Sequence, residues 1–270
     1  MRTGCFYWTP EVCYSEVTMD KQSFFSQFRF NPVLAGAYGV EREFFLTDAH
    51  GIPVPRSQEF LARVQDPAWT YELSACQVEH RTAPEHSITK ILSNLQIADA
   101  QARRTAMLMG ADIVALEVAQ EDMSIEIYPD NNRYKKLVKH LPKEMLRAAC
   151  RVAGIHIHRG AKDLDDAISM YNNIVKCLED FIKMGDHSQG ERLRLYRQMA
   201  PNWSPPQYTS RDHFFEVACE QGFVNNPRNC WHLVRISQHG TVELRMFGMT
   251  NDLSRIHQWI SVIDRVVLKY

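Results

Sequence analysis

The sequence indicates an α+β domain built on one large, mainly antiparallel sheet with helices on one face. Some segments alternate apolar and polar residues at the two-residue period of a half-buried strand, and others repeat apolar residues every three or four positions, as amphipathic helices do. The two kinds of segment follow each other in irregular order, without the strand–helix alternation that is typical of a parallel sheet. We count about six strands.

The composition is that of a globular protein. The chain has 270 residues, of which 45% are hydrophobic and 23% charged, and this is enough for a full core. A formal net charge of -1 provides no field that would recruit nucleic acid or an anionic membrane. Seven scattered cysteines without a C-x-x-C motif indicate reduced thiols. Because the chain lacks a signal-peptide pattern and a long apolar run, we expect a soluble, cytoplasmic protein.

The domain organisation is simple. Residues 1–35 mix aromatics and prolines without a sustained period, so we expect an N-terminal extension that packs on the domain. Residues 36–270 contain no linker, repeat or low-complexity segment, and this predicts a single catalytic domain.

The first strand carries an unusual pair of acids. In Tyr38–Leu46 the apolar residues and Arg42 share one face, while Glu41 and Glu43 project together from the other. Like charges at alternate positions of a half-buried strand repel each other unless a cation lies opposite. A divalent metal ion would meet that need.

The remaining elements follow from the same two periods. Strands are predicted for residues 70–82, 112–118, 150–158, 231–237 and 241–247, the last two joined as a hairpin across Gly240. Helices are predicted for residues 58–64, 84–109, 131–147, 163–184, 191–199, 212–221 and 253 onward.

Polar side chains share one face in four of these strands. Gln77, Glu79 and Arg81 lie on one face of the second strand, and Thr241, Glu243 and Arg245 on one face of the last. His156 and His158 lie opposite Ile155 and Ile157 in another strand, with a glycine at either end of the motif. We therefore expect these polar faces to meet in one site.

The chemistry of these side chains narrows the class of site. Several Glu with one or two His form a hard oxygen set that suits Mg²⁺ or Mn²⁺. Arg81, Arg235 and Arg245 would provide bidentate contacts to phosphate or carboxylate. Metal, phosphate and carboxylate together suggest nucleotide chemistry.

The P-loop, G-x-G-x-x-G, H-E-x-x-H and G-x-S-x-G motifs are absent, which disfavours P-loop and Rossmann enzymes, zincin proteases and α/β-hydrolases.

The motif-bearing segments resemble a known family. GVEREFFLTD, ELSACQVEHRTAP, AGIHIHRG and HGTVELRMF occur in the order and roughly at the spacing of the motifs of carboxylate-amine ligases of the glutamate-cysteine ligase type, including the shorter amidoligases. The resemblance implies the glutamine synthetase-like fold, a curved antiparallel sheet whose concave face holds ATP and Mg²⁺ ions.

The resemblance also implies roles for particular residues. The expected metal ligands are Glu41, Glu43, Glu72, Glu79, His156 and Glu243. Arg245 is expected to contact phosphate, helped by Arg235 or Arg81, and Arg245 and Glu43 are the expected catalytic residues. His158 and Arg197 are candidate substrate contacts. Glu72 and Glu79 have opposite strand parity, so they share a face only if a bulge separates them or Glu72 lies on the loop before the strand.

The function that this resemblance implies is an ATP- and Mg²⁺- (or Mn²⁺-) dependent ligase that joins a small-molecule or peptide carboxylate to an amine through an acyl phosphate. The oligomeric state stays open. One alternative is a zinc-dependent hydrolase in which His156 and His158 bind the metal with His80, His232 or His239. The other is a catalytically silent nucleotide-binding domain.

Overall fold

The structure is a computed structural model that describes residues 19–129, 132–139 and 141–268. Residues 1–18, which make up half of the predicted N-terminal extension, lie outside these ranges. The strands are β1 (Tyr38–Thr47), β2 (Trp69–Tyr71), β3 (Gln77–Arg81), β4 (Asp112–Val114), β5 (Gly154–Gly160), β6 (Val234–Ser237) and β7 (Thr241–Gly248). The helices are α1 (Lys21–Phe25), α2 (Ser57–Val64), α3 (Ile88–Leu108), α4 (Asn132–Val138), α5 (Lys143–Arg151), α6 (Leu164–Lys176), α7 (Leu178–Gly185), α8 (Glu191–Met199), α9 (Arg211–Glu220) and α10 (Leu253–Val267).

The described strands form one sheet in the order β2-β3-β1-β5-β7-β6, and every pairing is antiparallel. β4 adds to the end of β1, on three residues from Phe45 to Thr47. The predicted α+β class with a mainly antiparallel sheet is confirmed. The described part of the chain contains no helix of the length and apolarity needed to cross a bilayer.

The apolar face of the sheet packs on α2, α3, α6, α7 and α10. Phe44 contacts Trp69, and Phe247 of β7 stacks on Trp259 of α10 with ring centroids 4.6 Å apart. Arg42, the cation on this face, is fully buried and forms an ion pair of 2.8 Å with Asp99 of α3. The predicted alternation of β1 is therefore confirmed, because Glu41 and Glu43 face the opposite side.

The polar face is partly covered by α4, α5 and α8, whose residues line a cavity above the strands. Helices thus lie on both sides of the sheet. The expected single helix over residues 131–147 is wrong, because Pro142 separates α4 from α5 and has no N–H group with which to continue α4.

The second predicted strand is interrupted. Residues 70–82 form the hairpin β2–β3, because Ser74 closes a turn: its carbonyl oxygen accepts the amide of Gln77, and its hydroxyl oxygen accepts the amide of Cys76. Glu72 lies on the connection. The parity conflict between Glu72 and Glu79 is thus resolved by a loop rather than by a bulge.

Three further boundaries differ from the expectation. The strand predicted for residues 112–118 ends at Val114, and the chain then bonds to the residues before β5: the amide of Ala153 donates to the carbonyl of Glu117, and the amide of Ala119 donates to that of Arg151. Cys150 belongs to α5 rather than to the following strand. The predicted helix over residues 163–184 is divided at Cys177, whose amide bonds to the carbonyl of Ile174, three residues back.

A β-bulge interrupts β7. Ile155 pairs with Phe247, whereas Ile157 pairs with Leu244, so that Arg245 and Met246 together oppose the single residue His156. Since cross-strand partners point to the same face, Phe247 returns to the apolar side. The strict alternation expected for Thr241–Phe247 therefore holds only as far as Arg245.

Candidate active site

A cavity of about 570 Å³ lies on the polar face of the sheet. Its floor is formed by polar side chains of β1, β3, β5, β6 and β7, the strands that sequence analysis selected. Ten of the eleven predicted site residues line it: Glu41, Glu43, Glu72, Glu79, Arg81, His156, His158, Arg235, Glu243 and Arg245. Residues more than 200 positions apart in the chain are therefore neighbours.

His156 lies at the centre of the carboxylates. Its Nδ1 atom is 3.2 Å from Glu41 Oε2 and 3.9 Å from Glu243 Oε1, and its Nε2 atom is 3.6 Å from Glu43 Oε1. These contacts follow from the register, because His156 pairs with Glu41 across β5 and β1. Two sets of potential metal ligands result, Glu41–His156–Glu243 and Glu43–Glu79–His156, each with ligand atoms within 4.8 Å of one another.

The carboxylates of β1 and the β2–β3 hairpin repel one another. Glu43 and Glu79 are directly paired across β1 and β3, and Glu72 is close enough for its charge to act on Glu79. Burial, followed by the nearby charges of Glu72 and Glu41, raises the pKa of Glu79 well above its ordinary value. Burial also raises the pKa values of Glu43 and Glu72. In this group burial outweighs the nearby cations, so the three carboxyl groups resist ionisation.

The acids nearer β5 and β7 are already balanced by cations. Burial opposes ionisation of Glu243, but the charges of Arg235, His158 and Arg245 outweigh it and lower the pKa of Glu243 to about 2. For Glu41, burial is likewise outweighed, by His158 and His156, and the pKa lies well below its ordinary value. The site is thus divided into an uncompensated acidic half and a compensated half.

The arginines lie around the compensated half. Arg235 Nε donates a hydrogen bond of 2.6 Å to Glu243 Oε2, and Arg245 Nε lies 3.6 Å from Glu243 Oε1. The side chain of Arg81 is about half exposed and lies 3.5 Å from Glu79 at the open side of the cavity. Arg245 is therefore buried beside the acids, whereas Arg81 remains at the rim.

Several buried polar atoms in the cavity have no hydrogen-bond partner within the described residues. They are Glu243 Oε1, Arg245 Nε and His158 Nε2. Buried polar atoms without partners are rare in folded proteins and are usually satisfied by water or a ligand. A carboxylate oxygen can bind a cation, and a guanidinium N–H can bind an anion. The donor set therefore fits divalent metal ions with phosphate oxygens.

The structure does not bring every predicted residue to the cavity. Arg197 is exposed on α8, and its guanidinium lies 4.0 Å from the ring of Trp203. His80 is on the apolar face, with its ring 4.9 Å from Trp69, and His232 bonds to Gln221. Of the three histidines considered as a third zinc ligand, only His239 lines the cavity.

One wall of the cavity carries residues that were not predicted from the sequence. Arg192, Tyr196 and Met199 line it from α8. Their spacing of four and three residues places them on one face of a helix, so the signal was present in a correctly predicted element. It was overlooked because an arginine and a tyrosine on a short helix resemble an ordinary exposed face.

The family model of glutamate-cysteine ligase family 2 matches residues 37–178, which is more than half of the chain. The chain belongs to that family. The match includes β1, β3 and β5, which carry Glu41, Glu43, Glu79 and His156.

The sequence identity to individual members of the family is low. The glutamate–cysteine ligase of Natronomonas pharaonis is 25% identical over 236 residues, covering 78% of this chain and 63% of the relative. That of Halobacterium salinarum is 24% identical over 261 residues, covering 87% of this chain and 71% of the relative. The chain therefore spans somewhat less than two thirds of the first of these relatives.

A solved structure has the same fold. The bifunctional glutathione synthetase of Pasteurella multocida superposes with a TM-score of 0.60 at 15% identity, covering 92% of this chain and 39% of that protein. The arrangement of nearly the whole chain is thus found within a larger protein of the same type of fold.

Proposed function

We propose that this chain is a carboxylate-amine ligase that uses ATP and Mg²⁺ or Mn²⁺ to form an amide or γ-glutamyl bond through an acyl phosphate. The observation that carries this proposal is the pair of potential metal sites that share His156. They lie in a cavity whose other side is cationic, as the binding of a metal–nucleotide complex requires. Membership of a ligase family supports the same reaction.

The residues for the metal ions are the two ligand sets already described. Glu41, His156 and Glu243 would hold one ion, and Glu43 and Glu79 would contribute to a second, because a neutral His156 has one nitrogen free to bind a metal. Bound divalent cations would neutralise the phosphate oxygens of ATP. Glu72 lies near Glu79, and its charge helps to raise the pKa of that carboxyl group.

Arg245 is placed to stabilise negative charge. It is buried beside Glu243, with an unpaired Nε–H within the described part of the cavity. In the reaction a substrate carboxylate oxygen attacks the γ-phosphorus and ADP leaves. The amine nitrogen then attacks the acyl carbon, releasing phosphate and a proton. The chain needs no nucleophile of its own, so its task is to position the reactants and hold their charges.

The two ends of the cavity differ in character. Tyr71, Tyr134 and Leu137, with neighbouring apolar residues of α5, line one end and suit the flat apolar surface of a nucleotide base. Arg228, Arg235 and His239 line the other and suit a substrate carboxylate. This division would place the terminal phosphates between them, beside the acids.

The reaction is tested by pairing amino acids and amines in a screen for phosphate release from ATP. We expect release to require both a carboxylate and an amine, and mass analysis to detect a product smaller than the sum of the two by one water. Phosphate release without such a condensed product would contradict the ligase proposal.

The site is tested by single substitutions. Glu43→Gln and Glu243→Gln keep the size of the side chain but remove its charge, so each should abolish metal-dependent ATP turnover while the far-ultraviolet circular dichroism is unchanged. Glu216→Gln, an exposed position on α9, is the matched control and should retain activity. Full turnover after both site substitutions would exclude this location of the active site.

A further inference from the structure

Arg192 of α8 is a buried arginine whose side-chain hydrogen bonds, within the described residues, all go to backbone carbonyls. It is 4% exposed. Its Nε donates to the carbonyl of Ala153 at 2.9 Å, its Nη1 to that of Met246 at 3.1 Å and its Nη2 to that of Arg245 at 3.2 Å. It forms no ion pair within the described part of the chain, so its burial is not explained by a salt bridge.

The three carbonyls lie where β5 and β7 lose their regular pairing. Arg245 and Met246 are the two bulge residues that oppose His156, and Ala153 immediately precedes β5. A bulge removes backbone groups from the ladder, and a buried carbonyl without a partner costs free energy. The planar guanidinium of Arg192 provides several fixed donors at once, which the single ammonium of lysine does not.

This junction holds two residues of the proposed active site. The amide of Gly154 donates a hydrogen bond of 2.6 Å to Glu43 Oε2, on the acidic side. A Cβ at Gly154 would overlap the guanidinium of Arg192, so the arginine packs directly against that backbone. On the other side, the bulge directs Arg245 toward Glu243. Arg192 thus contacts the supports of both Glu43 and Arg245.

The geometry points to Arg192 as a positioning residue that fixes the bulge of β7 and, through it and Gly154, holds Glu43 and Arg245 in the arrangement that binds the metal–nucleotide complex. This inference rests on the proposed function. It assigns to Arg192 no contact with the substrate or the reacting atoms.

The test is the Mn²⁺ affinity of the nucleotide-free protein, measured by electron paramagnetic resonance, for Arg192→Ala and the wild type. Loss of a residue that orients metal ligands commonly weakens binding by about 10- to 100-fold. We expect a loss in that range, and we expect millimolar methylguanidinium to restore affinity by filling the vacated space. Methylammonium, which lacks the planar set of donors, should not restore it.

Arg194→Ala is the matched control, because Arg194 lies on the same helix with a 62% exposed side chain and should leave Mn²⁺ affinity unchanged. If Arg192→Ala does not fold, Arg192→Lys replaces it and should show the same loss while retaining the wild-type circular dichroism. Wild-type affinity in a folded Arg192 variant, or a loss in Arg192→Ala that methylguanidinium does not reverse, overturns the inference. Absence of Mn²⁺ binding in the wild type would instead overturn the proposed function and the inference together.

Discussion

Single residues of the acidic half carry an electrostatic cost that only a ligand would remove. Glu79 pairs with Glu43 across β1 and β3, and burial together with the charge of Glu72 raises the pKa of Glu79 although Arg81 lies 3.5 Å away. Residues that serve a binding site are often unfavourable for the stability of the unbound protein. The stability of the metal-free protein is therefore informative about function.

Glu79→Gln should stabilise the metal-free protein and weaken metal binding. The amide cannot ionise, so it avoids the cost of burying an acid among other carboxyl groups, and we expect a gain of about 1 kcal/mol, which corresponds to roughly 2–4 °C in the melting temperature of a protein of this size. Differential scanning calorimetry with and without Mn²⁺ measures both effects. A lower melting temperature for the metal-free variant would contradict the electrostatic interpretation.

His232 predicts a specific dependence of stability on pH. Burial, with a smaller contribution from Arg235, lowers the pKa of His232 from its ordinary value of 6.5 to about 4. Below pH 6.5 the unfolded chain binds a proton at this position that the folded chain does not, so stability falls as the pH decreases toward 4. The loss is about 3 kcal/mol over this window.

Substitution of His232 isolates this contribution from that of other groups. In His232→Gln the side chain does not titrate, and its amide still offers a donor to Gln221, the present partner of Nε2. The free energy of unfolding is measured by urea denaturation from pH 7 to 4. It should fall less steeply with decreasing pH than in the wild type, because the variant takes up fewer protons on unfolding, by up to about one. Parallel curves for the two proteins would show that His232 is not buried in its neutral form.

At the level of elements, β5 is the strand on which the site depends, and its glycines set its position. Gly160 bonds to Ala37 and Gly36, so the end of β5 lies against the segment before β1. A Cβ at Gly160 would overlap the carbonyl oxygen of Leu34. Because that obstacle is backbone, it cannot move aside as a side chain would.

Gly160→Ala should therefore destabilise the protein by about 1–3 kcal/mol or more, the usual cost of inserting a methyl group into closely packed structure. Gly39→Ala is the matched control, since its Cβ would lie 3.8 Å from the Cβ of His158, an ordinary contact. Urea denaturation compares the two. Equal stability of both variants would mean that the segment before β1 does not pack as described.

At the level of the whole molecule, the site was more predictable than the boundaries of the elements that form it. The two-residue period of β1 and β5 predicted the face of the sheet on which Glu41, Glu43, His156 and His158 lie. In a half-buried strand the apolar residues fix one face toward the core, so the residues between them face the other way. Family motifs added Glu72, whose position depends on the turn at Ser74.

What the sequence did not predict depends on long-range contacts. The bulge at Arg245 and Met246 is stabilised by Arg192, more than 50 residues away, and no local pattern indicates it. β4 ends early, and residues 117 and 119 bond instead to the segment before β5, which again is a tertiary effect. Arg197 was assigned to the site by residue type, and the structure places it on Trp203 instead.

The most direct measurement is anomalous diffraction from crystals grown with Mn²⁺ and a non-hydrolysable ATP analogue. We expect anomalous peaks for manganese between His156 and the carboxylates of Glu41, Glu43, Glu79 and Glu243, with the terminal phosphates of the analogue beside Arg245. Manganese peaks elsewhere in the molecule, or an analogue bound away from this face of the sheet, would contradict the proposed function.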